Sequence, residues 1–325
     1  MLPNFAYIRV RSLDEAIEHL STEGARIHAG GTDLLGCLRE QVFEAKKVVS
    51  ISGLNSLRGI RETVEGGLRI GSLTTVSEVA KNPFIRKGYT ALAQAASEVA
   101  SPQLRNQGTI GGNICQKPRC WYYRGEFHCV RKGGDVCYAI GGESQYHCIF
   151  GGDMCYIVHP SDTAPALTAL GAMVHLAGPK GKRSVPIEKF FVLPSQNPER
   201  ETVLEVGELV TEIELPPPRK GLRSAYRKVR ARRSWDFALA GAALALSFDG
   251  NQISRARVVL SGAAPVPWRS EQVEKILVGN ELDEELAAKA ANTVIRGAQP
   301  LDKNGYKISL FSGLIEEELL AMAGS

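Results

Sequence analysis

Apolar and polar positions along this chain keep two different periods, and the switches between them mark out its elements. Phe5, Tyr7 and Ile8 predict a short opening strand. Leu13, Ala16, Ile17 and Leu20 then share one helical face behind Ser12-x-x-Glu15, which predicts a capping box. A strand from Ala25 to His28 and a buried-type strand over 47–51 follow. Segments 58–62 and 68–71, separated by Glu65-Gly66-Gly67, predict a hairpin. A polar helix starts near Thr75, and the small-residue run 91–99 predicts a helix able to lie close on a sheet, ended by Pro102.

Further on, Ser161 and Asp162 are expected to cap a helix over 164–170, and a hairpin turns through Gly178-Pro179-Lys180-Gly181. The strand Leu209 to Leu215 runs into Pro216-Pro217-Pro218, the clearest linker in the sequence. Past it lie strands near 224–230, 240–248 and 253–260, the last two joined by Asp249-Gly250-Asn251, and closing helices near 270–277, 284–296 and 307–321. This order predicts an α+β chain with a boundary near residue 217.

Composition narrows the function classes. A chain of 325 residues has room for two or three compact units. With 23% charged residues, 44% apolar residues and a net charge of +4, it offers no strongly basic surface for nucleic acid. The first twenty residues are amphipathic and carry acids, unlike a cleavable signal peptide, and no apolar run approaches the ~20 residues of a membrane helix. The expectation is a soluble, cytoplasmic chain whose clustered cysteines are metal ligands rather than disulfides.

Two glycine turns carry the first candidate chemistry. Ala29-Gly30-Gly31-Thr32-Asp33-Leu34-Leu35 follows its strand directly: the glycines remove Cβ atoms, and free N–H groups at the helix start point at an anion. An ordinary turn capped by Thr32 or Asp33 has the same pattern. Gly108-Thr109-Ile110-Gly111-Gly112-Asn113 repeats the device, with backbone and small polar side chains all able to face a ligand. Two such turns from one domain are expected to clamp a dinucleotide. Neither is G-x-G-x-x-G and no long helix follows, which argues against a Rossmann nicotinamide site.

Six of the seven cysteines lie from Cys115 to Cys155, and from Cys120 onwards they read C-x8-C-x7-C-x10-C-x6-C through Cys129, Cys137, Cys148 and Cys155. A loop of some forty residues is costly to order unless something nucleates it, and a metal centre would do so. Close C-x2–4-C pairs typical of structural zinc are missing, whereas an iron–sulfur cubane needs four thiolates and accepts wide spacings. Zinc and unligated cysteines remain the alternatives. His128, His147 and His159 lie nearby as further potential ligands, although hydrogen bonding within the loop is the simpler role for each. Cys37 and Cys115 are expected in the core, leaving five cysteines for four positions.

AGGTDLL, then TIGGN, then HPSD, in that order, resembles the flavin-binding medium subunits of the molybdenum hydroxylases over essentially the whole chain. The cysteine-rich insert between TIGGN and HPSD is similar to that of 4-hydroxybenzoyl-CoA reductases and certain bacterial aldehyde oxidoreductases, which carry a [4Fe–4S] cluster there. The resemblance implies a two-lobed FAD-binding domain of the vanillyl-alcohol-oxidase/PCMH type over 1–217, with the insert at about 115–157. A small α+β domain of the CO dehydrogenase flavoprotein type would follow over 218–325. It also implies that Ala29, Gly30, Gly31, Thr32, Asp33, Leu34 and Leu35, with Thr109, Ile110, Gly111, Gly112 and Asn113, hold the FAD diphosphate and its surroundings. Asp162 would hold a polar part of FAD, and Lys228 would stand near the flavin, where a cation stabilises the anionic reduced ring. Cys120, Cys129, Cys137 and Cys155 would bind the cluster, with Cys148 competing with Cys129 for the fourth place.

On that resemblance the chain is an electron-carrying subunit. A large molybdopterin-binding subunit would perform the substrate chemistry on an aldehyde, N-heterocycle or aromatic acyl-CoA. A small subunit with two [2Fe–2S] clusters and an external carrier such as ferredoxin would complete the route. The competing readings are a self-contained flavin oxidase and a zinc-stabilised assembly protein without redox activity.

Overall fold

The computed structural model describes residues 2–323, so the outermost residues of the divisions 1–217 and 218–325, namely 1, 324 and 325, lie outside the described residues. Three short apolar segments, β1 (Ala6–Arg9), β2 (Ala25–His28) and β3 (Lys47–Ser50), form a parallel sheet in the order β1-β3-β2. The helix Leu13–Leu20 connects β1 to β2 and buries Ala16 and Leu20 against Val49 and Ile51. Only half of the expected capping box forms there: the Ser12 hydroxyl accepts from the Glu15 N–H at 3.1 Å, but the Glu15 carboxylate takes the N–H of Arg11 rather than that of Ser12. The full box forms at Thr75 and Glu78, before the helix Val76–Lys81.

A second sheet is antiparallel. Strands β4 (Ile60–Glu62), β5 (Leu68–Gly71), β6 (Met173–Gly178), β7 (Gly181–Pro186) and β8 (Leu209–Leu215) lie in the order β4-β5-β8-β6-β7, so a segment of about a hundred residues leaves after β5 and returns to the same sheet at β6. That excursion holds seven α-helices among the described residues, together with the second glycine turn and all the clustered cysteines. Pro102 does more than end the helix Thr90–Glu98, because it is the first residue of the next one, Pro102–Gln107, where its missing N–H costs nothing.

The third sheet runs β12 (Trp268–Arg269), β11 (Gln252–Ser261), β10 (Ala240–Asp249) and β9 (Leu222–Val229). The apolar run of β10 is covered on both faces. Ala243 and Ala245 join the core beneath the helix Thr90–Glu98, whose alanines allow a close approach. Ala242, Leu244 and Leu246 face the closing helices Glu284–Val294 and Tyr306–Ala323. Full burial of Leu244 and Leu246 contributes about 1.5–3 kcal/mol each. Among the described residues no helix is long and apolar enough to cross a membrane.

Candidate functional site

The first glycine turn leaves β2 and enters the helix Leu34–Arg39. A Cβ at Gly30 would stand 1.9 Å from the Gln107 carbonyl oxygen, so only glycine lets this turn meet the end of the helix Pro102–Gln107. Among the described residues, the N–H groups of Gly30, Gly31, Thr32 and Asp33 donate to no protein acceptor. Four consecutive free donors beside a cavity suit an oxyanion such as a phosphate.

The second turn brings its glycines to the same cavity but spends its donors differently. Ile110 N–H bonds to Thr74 O at 2.9 Å and Gly111 N–H to Ser72 O at 2.9 Å. Gly112 N–H bonds to the Thr109 hydroxyl at 3.2 Å and Asn113 N–H to Thr109 O at 2.8 Å. The expectation that this backbone faces a ligand is corrected: its N–H groups pin a short helix, Ile110–Ile114, onto the second sheet, and the turn is a wall.

The cavity, about 210 Å³, is bounded by Ala29, Gly30, Gly31, Thr32, Asp33 and Leu34 on one side. Thr109, Gly111 and Gly112 stand on the other. Three of the residues expected there lie elsewhere. Leu35 is 40% exposed on the outer face of its helix, and Ile110 is fully buried in the main core. The Asn113 carboxamide accepts from the Ser161 and Thr163 hydroxyls, each at 2.6 Å. Thus Asn113 ties the second turn to the HPSD segment.

Asp33 is not a helix cap. Its carboxylate takes Arg119 at 2.7 Å, Arg124 at 2.8 Å and the Lys117 N–H at 2.7 Å. Burial alone would raise its pKa, but the two guanidinium groups and the N–H outweigh it and hold the carboxyl below the usual range. The basic run after TIGGN therefore anchors the insert to the first turn. Lys117, Arg119 and Arg124 stand out in the sequence as basic residues around the first clustered cysteine, a signal for this anchor that residue type alone carries.

Asp162 and Lys228 come together away from the cavity wall. Their side chains, 5% and 1% exposed, pair at 2.7 Å, and the Tyr226 hydroxyl donates to the other Asp162 oxygen at 2.7 Å. Burial pushes Asp162 above the usual carboxylate range despite the Lys228 ammonium, and pushes Tyr226 far up as well. Asp162 makes no cap; the Ser161 hydroxyl caps instead, accepting from Ala164 N–H at 3.0 Å. Close by, between the insert and the loop 231–239, lies a further cavity of about 430 Å³ walled by Pro160, Leu239, Phe237 and Arg119. Arg119 borders this space and reaches the first only through its ion pair with Asp33.

Cys120, Cys129, Cys137 and Cys155 line one small enclosed cavity. Cys148 is fully buried and does not line it; Asn304 holds its carbonyl at 3.0 Å, within contacts that bind the insert to the closing helix. Burial pushes the Cys120 thiol up to about 12, and His147 Nε2 lies 3.3 Å from its sulfur. His128 is exposed, whereas His159 is buried edge-on to Phe191 and its pKa falls to about 4 through burial. Among the described residues no three His, Cys, Asp or Glu side chains converge closely enough to share one metal ion. Four thiols face one space, which is the donor set that an iron–sulfur cubane would need. Cys37 and Cys115 lie outside this set, and both thiols are pushed up to about 12 by burial.

Residues 3–218 match a family described as the FAD binding domain in molybdopterin dehydrogenase, and residues 224–320 match the CO dehydrogenase flavoprotein C-terminal domain. The chain is 36% identical to the aldehyde oxidoreductase FAD-binding subunit PaoB of Escherichia coli, over 94% of each chain. It is 30% identical to the carbon monoxide dehydrogenase medium chain of Hydrogenophaga pseudoflava, over 98% of this chain and 97% of that one. Among solved structures, the carbon monoxide dehydrogenase of Hydrogenophaga pseudoflava lacking the Mo-pyranopterin moiety superposes with a TM-score of 0.77 at 27% identity, covering 98% of this chain and 96% of that one.

Proposed function

Because this chain belongs to the family of FAD-binding medium subunits of the molybdenum hydroxylases, we propose that it is an electron-transfer subunit carrying both FAD and a [4Fe–4S] cluster. It would work between molybdopterin and [2Fe–2S] partner subunits and an external carrier such as ferredoxin. The substrate, an aldehyde, N-heterocycle or aromatic acyl-CoA, would be transformed on the large partner subunit. Residues 1–217 would form the flavin domain and 218–325 the second domain, in a cytoplasmic complex.

The observation that carries the proposal is the neighbourhood of two unlike cavities, one edged by four free backbone donors and the other by four thiols. FAD supplies one- and two-electron transfer and the cluster one-electron transfer when bound. The N–H groups of 30–33 would take the diphosphate, while Gly111 and Gly112 keep the opposite wall close. Thr32 and Thr109 add hydroxyls at the rim, and Leu34 closes one end. Leu35, Ile110 and Asn113 would support this surface from behind. The buried Asp162–Lys228 pair would act on the flavin from behind the wall, through the charge of a fixed ammonium, with Tyr226 holding Asp162 in place. Cys120, Cys129, Cys137 and Cys155 would ligate the cluster.

Absorption spectra with flavin, iron and sulfide analysis on anaerobically purified protein test this. About one FAD with four iron and four sulfide per chain is the expected result. FAD without iron would retain the flavin subunit and remove the cluster, and neither cofactor in folded protein would remove both. Cys129→Ser is expected to lose iron, whereas Cys148→Ser is expected to keep it.

A further inference from the structure

One chain of charges, buried at Arg131 and Glu201 and half-buried beyond them, runs between the two cavities. Arg131 is 4% exposed and is the only permanently charged side chain among those lining the cysteine cavity. Its Nε and Nη2 donate to Glu201 Oε1 at 3.2 and 2.9 Å, and its Nη1 donates to Pro198 O at 2.6 Å. The other Glu201 oxygen accepts the ammonium of Lys117, which lines the glycine-turn cavity and whose N–H bonds to Asp33. Arg119 and Arg124 close the chain on Asp33.

Cations outnumber carboxylates along this route even when Glu40, on the outer side of Arg124, is included. A surplus of positive charge that is partly withdrawn from water is costly unless anions stand at its ends. A diphosphate at one end and four metal-bound thiolates at the other are anions of that kind. Arg131 and Cys155 line the same small cavity, so the guanidinium stands beside the thiols.

We propose that Arg131, oriented and partly neutralised by Glu201, sets the reduction potential of the cluster in the cysteine cavity. The inference rests on the cluster reading above. A cation beside a thiolate ligand favours the form of the cluster that carries one more negative charge, so Arg131 raises the potential. The Glu201 carboxylate, whose pKa is held down by Lys117 and Arg131 against burial, offsets part of that effect.

The test is an EPR-monitored redox titration of the full chain in its complex, at temperatures that separate [4Fe–4S] from [2Fe–2S] signals, after iron and sulfide analysis of each protein. Arg131→Gln should lower the midpoint potential and Glu201→Gln should raise it. Each is expected to change the reduced-to-oxidised ratio at fixed potential about tenfold, equivalent to about 59 mV for one electron. Arg131→Lys should stay within a third of that shift. A damaged fold would not move two neighbours in opposite directions. Shifts of the same sign, or no shift with four iron and four sulfide retained, would overturn the tuning role alone. No iron in the unsubstituted protein would overturn the cluster reading and this inference together. If Arg131→Gln fails to fold, a rise in Glu201→Gln with Arg131→Lys unchanged decides in favour, and its absence decides against.

Discussion

The turns at 29–35 and 109–113 are both strand- or helix-flanked, both contain a Gly-Gly pair with a neighbouring threonine, and both edge one cavity. Their backbones do opposite things. The first leaves four consecutive N–H groups free, whereas the second donates four consecutive N–H groups to Thr74, Ser72 and Thr109. The difference comes from what lies behind each turn. The second has the Ser72 and Thr74 carbonyls at the end of β5 aligned with its N–H groups, whereas the carbonyl beside the first, that of Gln107, faces the side-chain position of Gly30 and accepts from none of its N–H groups. A glycine pair therefore marks close approach, and only the surroundings decide whether that approach serves a ligand or a neighbouring strand.

The largest effect is expected where the two turns are held to one another. Gly30→Val would drive side-chain atoms into the Gln107 carbonyl and spread the cavity, and flavin content after gel filtration should fall below about a tenth of the unsubstituted level. Flavin retained near full occupancy would mean that the free donors of the first turn do not hold it.

Asp33→Ala should come next. Arg119 and Arg124 would lose their common half-buried carboxylate, at a cost of about 1–3 kcal/mol in denaturant unfolding, while the free N–H groups of the turn remain. If this change removed flavin without loss of stability, the carboxylate would be a ligand and not a tether.

Acid should loosen the second turn before the first. His159 packs at the end of that turn, near the Ile114 carbonyl, and burial lowers its pKa to about 4 from an ordinary 6.5. Above pH 6.5 it is neutral in both folded and unfolded chains and costs nothing. Between pH 6.5 and 4 the unfolded chain takes up the proton first, so stability falls as pH falls, by up to about 3 kcal/mol. Urea unfolding at a series of pH values should show this slope, and His159→Gln should flatten it.

The smallest effect belongs to the wall. Gly111→Ala would place a Cβ 2.7 Å from Ser72 Cβ, forcing the short helix off the sheet for about 1–3 kcal/mol. A lowered melting temperature with flavin still bound is the expected pattern, the reverse of the Gly30 result.

Much of this molecule was legible from pattern alone. The strands expected at 209–215, 240–248 and 253–260 and the Asp249-Gly250-Asn251 turn coincide closely with β8, β10 and β11, because strands buried on one or both faces cannot shift register without exposing apolar side chains. The ends of elements were less legible. Pro102, Glu15 and Asp162 each support two local outcomes, and a neighbour several residues away chose between them. Tyr226 stands two residues before Lys228 and Lys117 lies in a basic run beside the cysteines, but Glu201 and Arg131 carried no signal. Glu201 is an ordinary acid in a turn-rich segment until the fold brings it to Arg131.

By itself the sequence determined which residues are chemically able to act: glycines that admit a close backbone, six cysteines in one insert, a lysine and an aspartate in recurring motifs. Local chemistry is written in residue types and short spacings, and these survive in one dimension. The tertiary structure decided which donors stay free, which four thiols share a space and which carboxylate stands between two cations. Those outcomes depend on partners from distant parts of the chain, and a hydrogen bond or a buried ion pair is fixed by a few tenths of an ångström that spacing alone does not encode.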